Sequence, residues 1–230
     1  MLLAWSAVAS TGCQFSAMGQ NAHGARLYQQ GQYQAALQEF QKAAASSPTN
    51  PDSYYNMAAT MHRLGSQQND KALLAQAETL YNQCLDLSPD HVDCHRGLAV
   101  LLVETDRQDR AFNLLKNWAT RSPQLADARV ELARLYEEFG DMETAKLQLY
   151  QAVQLDPNNQ RALMALGRQR EKAGDLQQAL ANYQRAYSLN NMQPQLAERI
   201  ASLQRTIAGQ APGTTAGGTR LVNTAPTTRY

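Results

Sequence analysis

No stretch of alternating apolar and polar residues, bounded by turn signals, marks out a strand anywhere in the chain, which sets aside sheets, sandwiches and barrels. Charge of one sign is lacking as well. The net charge of +1 argues against a nucleic-acid partner that would need a broad basic surface. No glycine-rich phosphate loop, nucleophile elbow or pair of catalytic carboxylates stands out. Acidic pairs such as Glu137-Glu138 fall where a solvated helix face is expected, so an enzyme has no residue to rest on and no cofactor is expected. Aromatics are sparse at 7%, and the bulk is instead the Ala, Gln and Leu of helices that pack closely. The N-terminal MLLAWSAVASTGCQ is apolar and uncharged, but it is too short for a spanning helix.

What the chain does have is a unit and its copies. Ala126 to Pro157 reads ADARVELARLYEEFGDMETAKLQLYQAVQLDP: a helix pattern, a Gly-Asp turn, a second helix pattern and a proline stop. Ala126, Leu132, Ala133 and Tyr136 share one stripe, and Ala145, Leu149 and Ala152 share another. Gly140 suits a helix end that needs positive φ, and Asp141 follows as the N-cap of the next helix. Two helices this short cannot bury their stripes alone. Closing turns recur at Pro48, Pro89, Pro123 and Pro157, with Asn191 in the proline's place at the last; the steps are 41 residues and then 34 three times over. The small residue of the first helix is Gly24, Ala58, Ala99, Ala133 and Gly167. The alanine of the second is Ala36, Ala77, Ala111, Ala145 and Ala179. Four residues later come Phe40, Tyr81, Leu115, Leu149 and Tyr183. A third small site holds Ala43, Cys84, Ala152 and Ala186, with Trp118 as the departure.

A 34-residue period with two helices per repeat resembles the tetratricopeptide repeat family over about residues 17–191. The resemblance implies an all-α fold, a right-handed superhelical α-solenoid of five hairpins at 17–50, 51–91, 92–125, 126–159 and 160–193. After Pro194, Leu196, Ile200, Leu203 and Ile207 form the stripe of a capping helix over 194–208. Residues 209–230 are Gly, Thr, Ala and Pro with almost no apolar content, the composition of a disordered tail.

Three features interrupt the pattern. The first helix of repeat one contains Gly19 and Gly24, each costing about 1 kcal/mol relative to Ala, and so reads as weak or partly frayed. Repeat two carries seven extra residues after Gly65, in SQQNDKALLAQ, which predicts a longer turn or an early second helix, and either an edge contact loop or a tolerated insertion. Asp106 stands where the other turns have glycine.

In the family the second, fifth, ninth, twelfth and thirteenth residues of each first helix face inward. The resemblance thereby assigns a partner-binding wall on which Tyr55, Arg63, Arg96, Val100, Arg134, Glu138, Met164, Arg168 and Lys172 stand out. Arginine forks suit the carboxylates of an extended peptide. An unspecialised solvated face with internal ion pairs is the competing expectation. The chaperone-type carboxylate clamp is not supported, because repeat one has Asn21 and Ala25 where that clamp needs Lys and Asn.

Ser10-Thr11-Gly12-Cys13 resembles a bacterial lipobox, in which the cysteine becomes lipidated. Ser10 departs from the usual leucine, and no basic segment precedes the apolar run. With Gln14 following, the resemblance implies an outer-membrane lipoprotein facing the periplasm, like tetratricopeptide lipoproteins that help to assemble pilus or secretion machinery. A cytoplasmic scaffold is the alternative. Cys84 and Cys94 lie five residues to either side of Pro89, so an antiparallel hairpin brings them together as a disulfide pair or as two buried thiols. His91 and His95, one helical turn apart, invite a metal reading. Their spacing matches no zinc module, and capping is the ordinary role for His91, so no metal is assigned, and a metal-responsive protein using this cluster stands as the lower alternative.

Overall fold

The computed structural model describes residues 8–210, with side chains described from 16 to 209. Eleven α-helices account for nearly all of them: α1 Val8–Gln29, α2 Tyr33–Ser46, α3 Pro51–Gln68, α4 Lys71–Leu87, α5 Val92–Glu104, α6 Gln108–Arg121, α7 Ala126–Glu138, α8 Met142–Leu155, α9 Gln160–Lys172, α10 Leu176–Leu189 and α11 Pro194–Gln210. There is no strand among the described residues.

Local chemistry explains the helix boundaries. Asp141, Asn159 and Asp175 each accept a hydrogen bond from the amide three residues on, so α8, α9 and α10 start with a satisfied donor. Pro51 opens α3 at the position where its missing N–H costs nothing, with Asn50 as the cap. Each turn inside a hairpin contains one residue with positive φ, filled by Gly31, Asn69, Asp106, Gly140 and Gly174 in chain order. Asn and Asp are the non-glycine residues best suited to that region, which is how the third repeat turns without glycine.

The insertion in repeat two lengthens helices and makes no loop. α3 has 18 residues against 13 in α5, α7 and α9, and α4 has 17 against 14 in α6, α8 and α10; the link shrinks from three residues to two. Gly65 is therefore not the turn residue. It is buried inside α3, where an added Cβ would lie 2.9 Å from Leu74 Cγ. Continuing two paired helices satisfies backbone groups that a seven-residue loop would leave to water.

The first helix also departs from expectation. It is continuous from Val8 to Gln29 and is not broken at its glycines. Gly24 packs under Phe40, and a Cβ there would meet the ring at 2.5 Å, so close approach to α2 offsets the helix penalty. The helix begins well before residue 17, the expected repeat boundary. The side chain of Cys13, residues 1–7 and the segment 211–230 lie outside the described residues.

The core is a ribbon. Ala36, Phe40 and Ala43, and their equivalents through Ala179, Tyr183 and Ala186, are buried throughout. One apolar cluster runs through α3–α7, a second through α7–α9, and a third through α9–α11, where Leu196 and Leu203 close the last repeat. Helices touch the next helix in sequence, and in addition α1, α3, α5 and α7 each touch the next odd-numbered helix. Among the described residues no two even-numbered helices approach backbone to backbone, and α4 and α6 are linked only through side chains, as in the Arg110–Glu78 ion pair at 3.0 Å. The odd helices from α1 to α9 thus stand shoulder to shoulder while the even ones splay apart. That arrangement curves the stack, with the odd helices on the inside.

Candidate concave interaction surface

The inner wall is built by the first helices of the repeats, and at its centre lies a carboxylate missed by the family's facing rule. Glu131 sits at the sixth position of α7, where the other repeats have Asn56, Gly97 and Ala165, and it is fully buried. A buried carboxylate must be neutralised and hydrogen-bonded. Three arginines from three successive repeats do so. Arg96 of α5 donates from Nε and Nη2 at 2.9 Å, Arg134 of α7 donates at 3.3 Å, and Arg161 of α9 donates from Nη2. Their other nitrogens reach Asp93 (2.9 Å), Glu138 (3.3 Å) and Asp127 (3.0 Å). Burial holds the Arg134 and Arg161 guanidiniums below their usual range, and Nη2 of Arg134 is buried without a partner. The centre of the wall is therefore an internal ion lattice. Two of the expected partner-binding arginines, Arg96 and Arg134, are engaged in it together with Glu138.

The two ends of the wall differ from its centre. Toward the N-terminus a cleft of about 350 Å³ is lined by Met18, Asn21, Asp52, Tyr55, His91 and Asp93 among others. Tyr55 leans on Tyr81 and His91, at ring distances of 6.3 and 5.6 Å, and burial raises its phenol above the ordinary value. Toward the C-terminus a cleft of about 440 Å³ is lined by Met164, Arg168, Glu171, Tyr183, Leu196 and Arg199 among others. Glu171 there accepts from Tyr183 and Arg199, and burial, then the Glu171 hydrogen bond, pushes the Tyr183 phenol to about 12. Arg63, Arg168 and Lys172 are exposed, and Val100 and Met164 half-buried. A larger cleft of about 550 Å³ lies off this wall, between α8, α9 and α10, and includes Met142, Tyr150 and Leu166.

The junction between repeats two and three carries the cysteine chemistry. A disulfide joins Cys84 at the end of α4 to Cys94 in the first turn of α5, with α-carbons 6.6 Å apart and both residues fully buried. His91 caps α5, accepting the Cys94 amide at Nδ1 and donating from Nε2 to Asp52 (3.1 Å). His95 is separate from it and does not complete a histidine pair. It is buried face to face with Trp118, ring centroids 3.9 Å apart, and donates from Nε2 to the Pro89 carbonyl. Burial lowers its pKa to about 4. Trp118, the misfit at a small-residue site, donates to Asp90, which also accepts from Ser122. It thus pins the closing turn of repeat two to the second helix of repeat three. Trp118 breaks the repeat pattern, and that departure was its available signal; at the position of Glu131 the repeats share no residue type, so nothing in the sequence marks it.

Known proteins match the same features. A TPR repeat family model matches residues 24–65, and a tetratricopeptide repeat model matches 126–159. Among curated proteins the chain is 26% identical over 188 residues to the human protein O-mannosyl-transferase TMTC1, covering 79% of this chain and 20% of that protein. It is 23% identical over 180 residues to a Drosophila melanogaster BBSome complex member, the BBS4 homolog, covering 76% and 36%. The chain thus spans about a fifth and about a third of these relatives' lengths. Among solved structures it superposes on a thermophilic TPR protein of Thermus thermophilus with a TM-score of 0.61 and 24% identity, covering 82% of this chain and 99% of that one.

Proposed function

Because the chain is a tetratricopeptide-repeat protein, we propose that it is a non-catalytic scaffold that holds a protein or peptide partner along its inner wall. The observation that carries this reading is the shoulder-to-shoulder packing of the odd helices, which leaves one continuous curved surface free of even-numbered helices. On that surface the partner contacts fall at the two ends, around Tyr55 and around Met164 and Arg168. The central arginines are committed to Glu131 and hold the wall in shape. An extended segment bridging both clefts fits, with an apolar side chain for Met164 and an acidic group for Arg168.

The location we propose is the bacterial envelope, with Cys13 lipidated and the array facing the periplasm in the assembly of pilus or secretion machinery. The Cys84–Cys94 bridge supports an oxidising compartment, and the Ser10–Cys13 pattern supports an anchor.

Crosslinking in cells followed by capture, comparing the native chain with Arg168→Glu and Tyr55→Ala, tests the binding surface. Capture of the same partner should fall at least tenfold in either variant while helicity is retained. Equal capture by both variants would contradict the assignment. Globomycin, or Cys13→Ser, should move the chain out of the membrane fraction; an unchanged soluble species would contradict the anchor.

A further inference from the structure

We propose that the junction of repeats two and three is a redox-gated metal site: when the Cys84–Cys94 bridge is opened, the two thiolates and His91 Nδ1 bind one thiophilic d10 cation, represented by Zn²⁺. The sulfurs of Cys84 and Cys94 and a ring nitrogen of His91 lie within 4.8 Å of one another. Three ligands of this kind, with a fourth position for water, form a tetrahedral zinc site once the sulfurs separate to roughly 3.8 Å. The 6.6 Å spacing of the α-carbons allows this by side-chain rotation.

Two features favour the ion beyond proximity. First, His91 is already oriented as a ligand. Its Nε2 donates to Asp52 at 3.1 Å, which fixes the tautomer and leaves the Nδ1 lone pair on the cysteine side. A carboxylate on the far nitrogen is the usual support for a metal-bound histidine. That lone pair now accepts the Cys94 amide at 3.2 Å, and metal binding exchanges this capping bond for a coordinate one. Second, both cysteines are fully buried. Two thiolates with one divalent cation are neutral together, so the site avoids the unpaired charge that an empty reduced pair would carry on ionising. Cys94 lies in the first turn of the 13-residue α5, where the helix end favours a thiolate.

The two states exclude each other chemically. A trialkylphosphine and water reduce the bridge by two electrons, giving two thiols while phosphorus is oxidised to the phosphine oxide. Binding Zn²⁺ then displaces the two thiol protons to solvent. The site shares His91 and Asp52 with the N-terminal cleft, but it needs no partner there, and its readout is the metal alone, so it can stand or fall apart from the partner-binding reading.

The test uses the full chain carrying Cys13→Ser, so that no third thiol competes. The chain is reduced with phosphine in urea without oxygen, and both reagents are then removed. Titration with Co²⁺ should show one ion per chain with a thiolate charge-transfer band, displaced by Zn²⁺. The oxidised chain should show no such band. His91→Gln, which keeps the bridge, should weaken binding at least tenfold, and Asp52→Asn by about tenfold. The proposal is overturned if the reduced chain gives no band, if the oxidised chain binds Co²⁺ equally, or if His91→Gln binds with unchanged affinity.

Discussion

Two junctions between repeats do the same mechanical work by different chemistry. Repeats two and three are joined by a buried disulfide, the His95–Trp118 stack and the Asp90 hydrogen bonds. Repeats three, four and five are joined by a buried carboxylate reached from three helices. The alanine and aromatic positions of the hairpins are equivalent in both places. The repeat pattern therefore fixes how a hairpin closes, while stacking strength is left to residues that depart from it. One junction responds to reductant and acid, and the other to loss of a charge.

The largest effect that separates them is expected from Glu131→Gln. Removing one partner from a buried ionic group costs about 3–5 kcal/mol, and three half-buried arginines lose their common acceptor. Denaturant unfolding should show this loss in both oxidised and reduced protein. A change below about 1 kcal/mol would mean that the lattice is ornamental.

Reducing the bridge should cost roughly 2–3 kcal/mol by the chain-entropy argument for so short a loop. Its effect should add to that of Glu131→Gln, since the two sites share no partner. Strong non-additivity in a double perturbation would show that the junctions are one unit.

Acid should weaken the first junction selectively. The unfolded His95 imidazole takes up its proton near pH 6.5, whereas the folded one does so only near 4. Between these values the unfolded chain binds more protons. The contribution is complete above about 6.5 and is lost as pH falls toward 4, amounting to at most roughly 3 kcal/mol. His95→Gln should flatten that slope in a pH series of unfolding midpoints, and an unchanged slope would remove His95 from the account.

Features that repeat were legible in the sequence, because a fixed spacing of prolines, turn residues and small side chains follows directly from the geometry of a stacked hairpin. Asp106 could be placed in a turn despite not being glycine, since position alone required it. Gly65 misled for the opposite reason. A glycine after an apolar helix reads as a stop, yet here it makes room for Leu74 while the helix runs on to Gln68. Glu131 was illegible because an acidic residue between arginines looks like a solvated face. Its burial depends on helices 30 or more residues away in sequence. Which cysteine state holds, likewise, depends on the approach of two helix ends, which spacing permits and only coordinates display.

Segment-resolved hydrogen exchange in the native chain and in Glu131→Gln tests the stacked-ribbon account most directly. It predicts faster exchange in α5, α7 and α9, with α1, α2 and α11 unchanged. A uniform rise over all eleven helices would contradict it, since the chain would then behave as a single cooperative globule and not as neighbours holding neighbours.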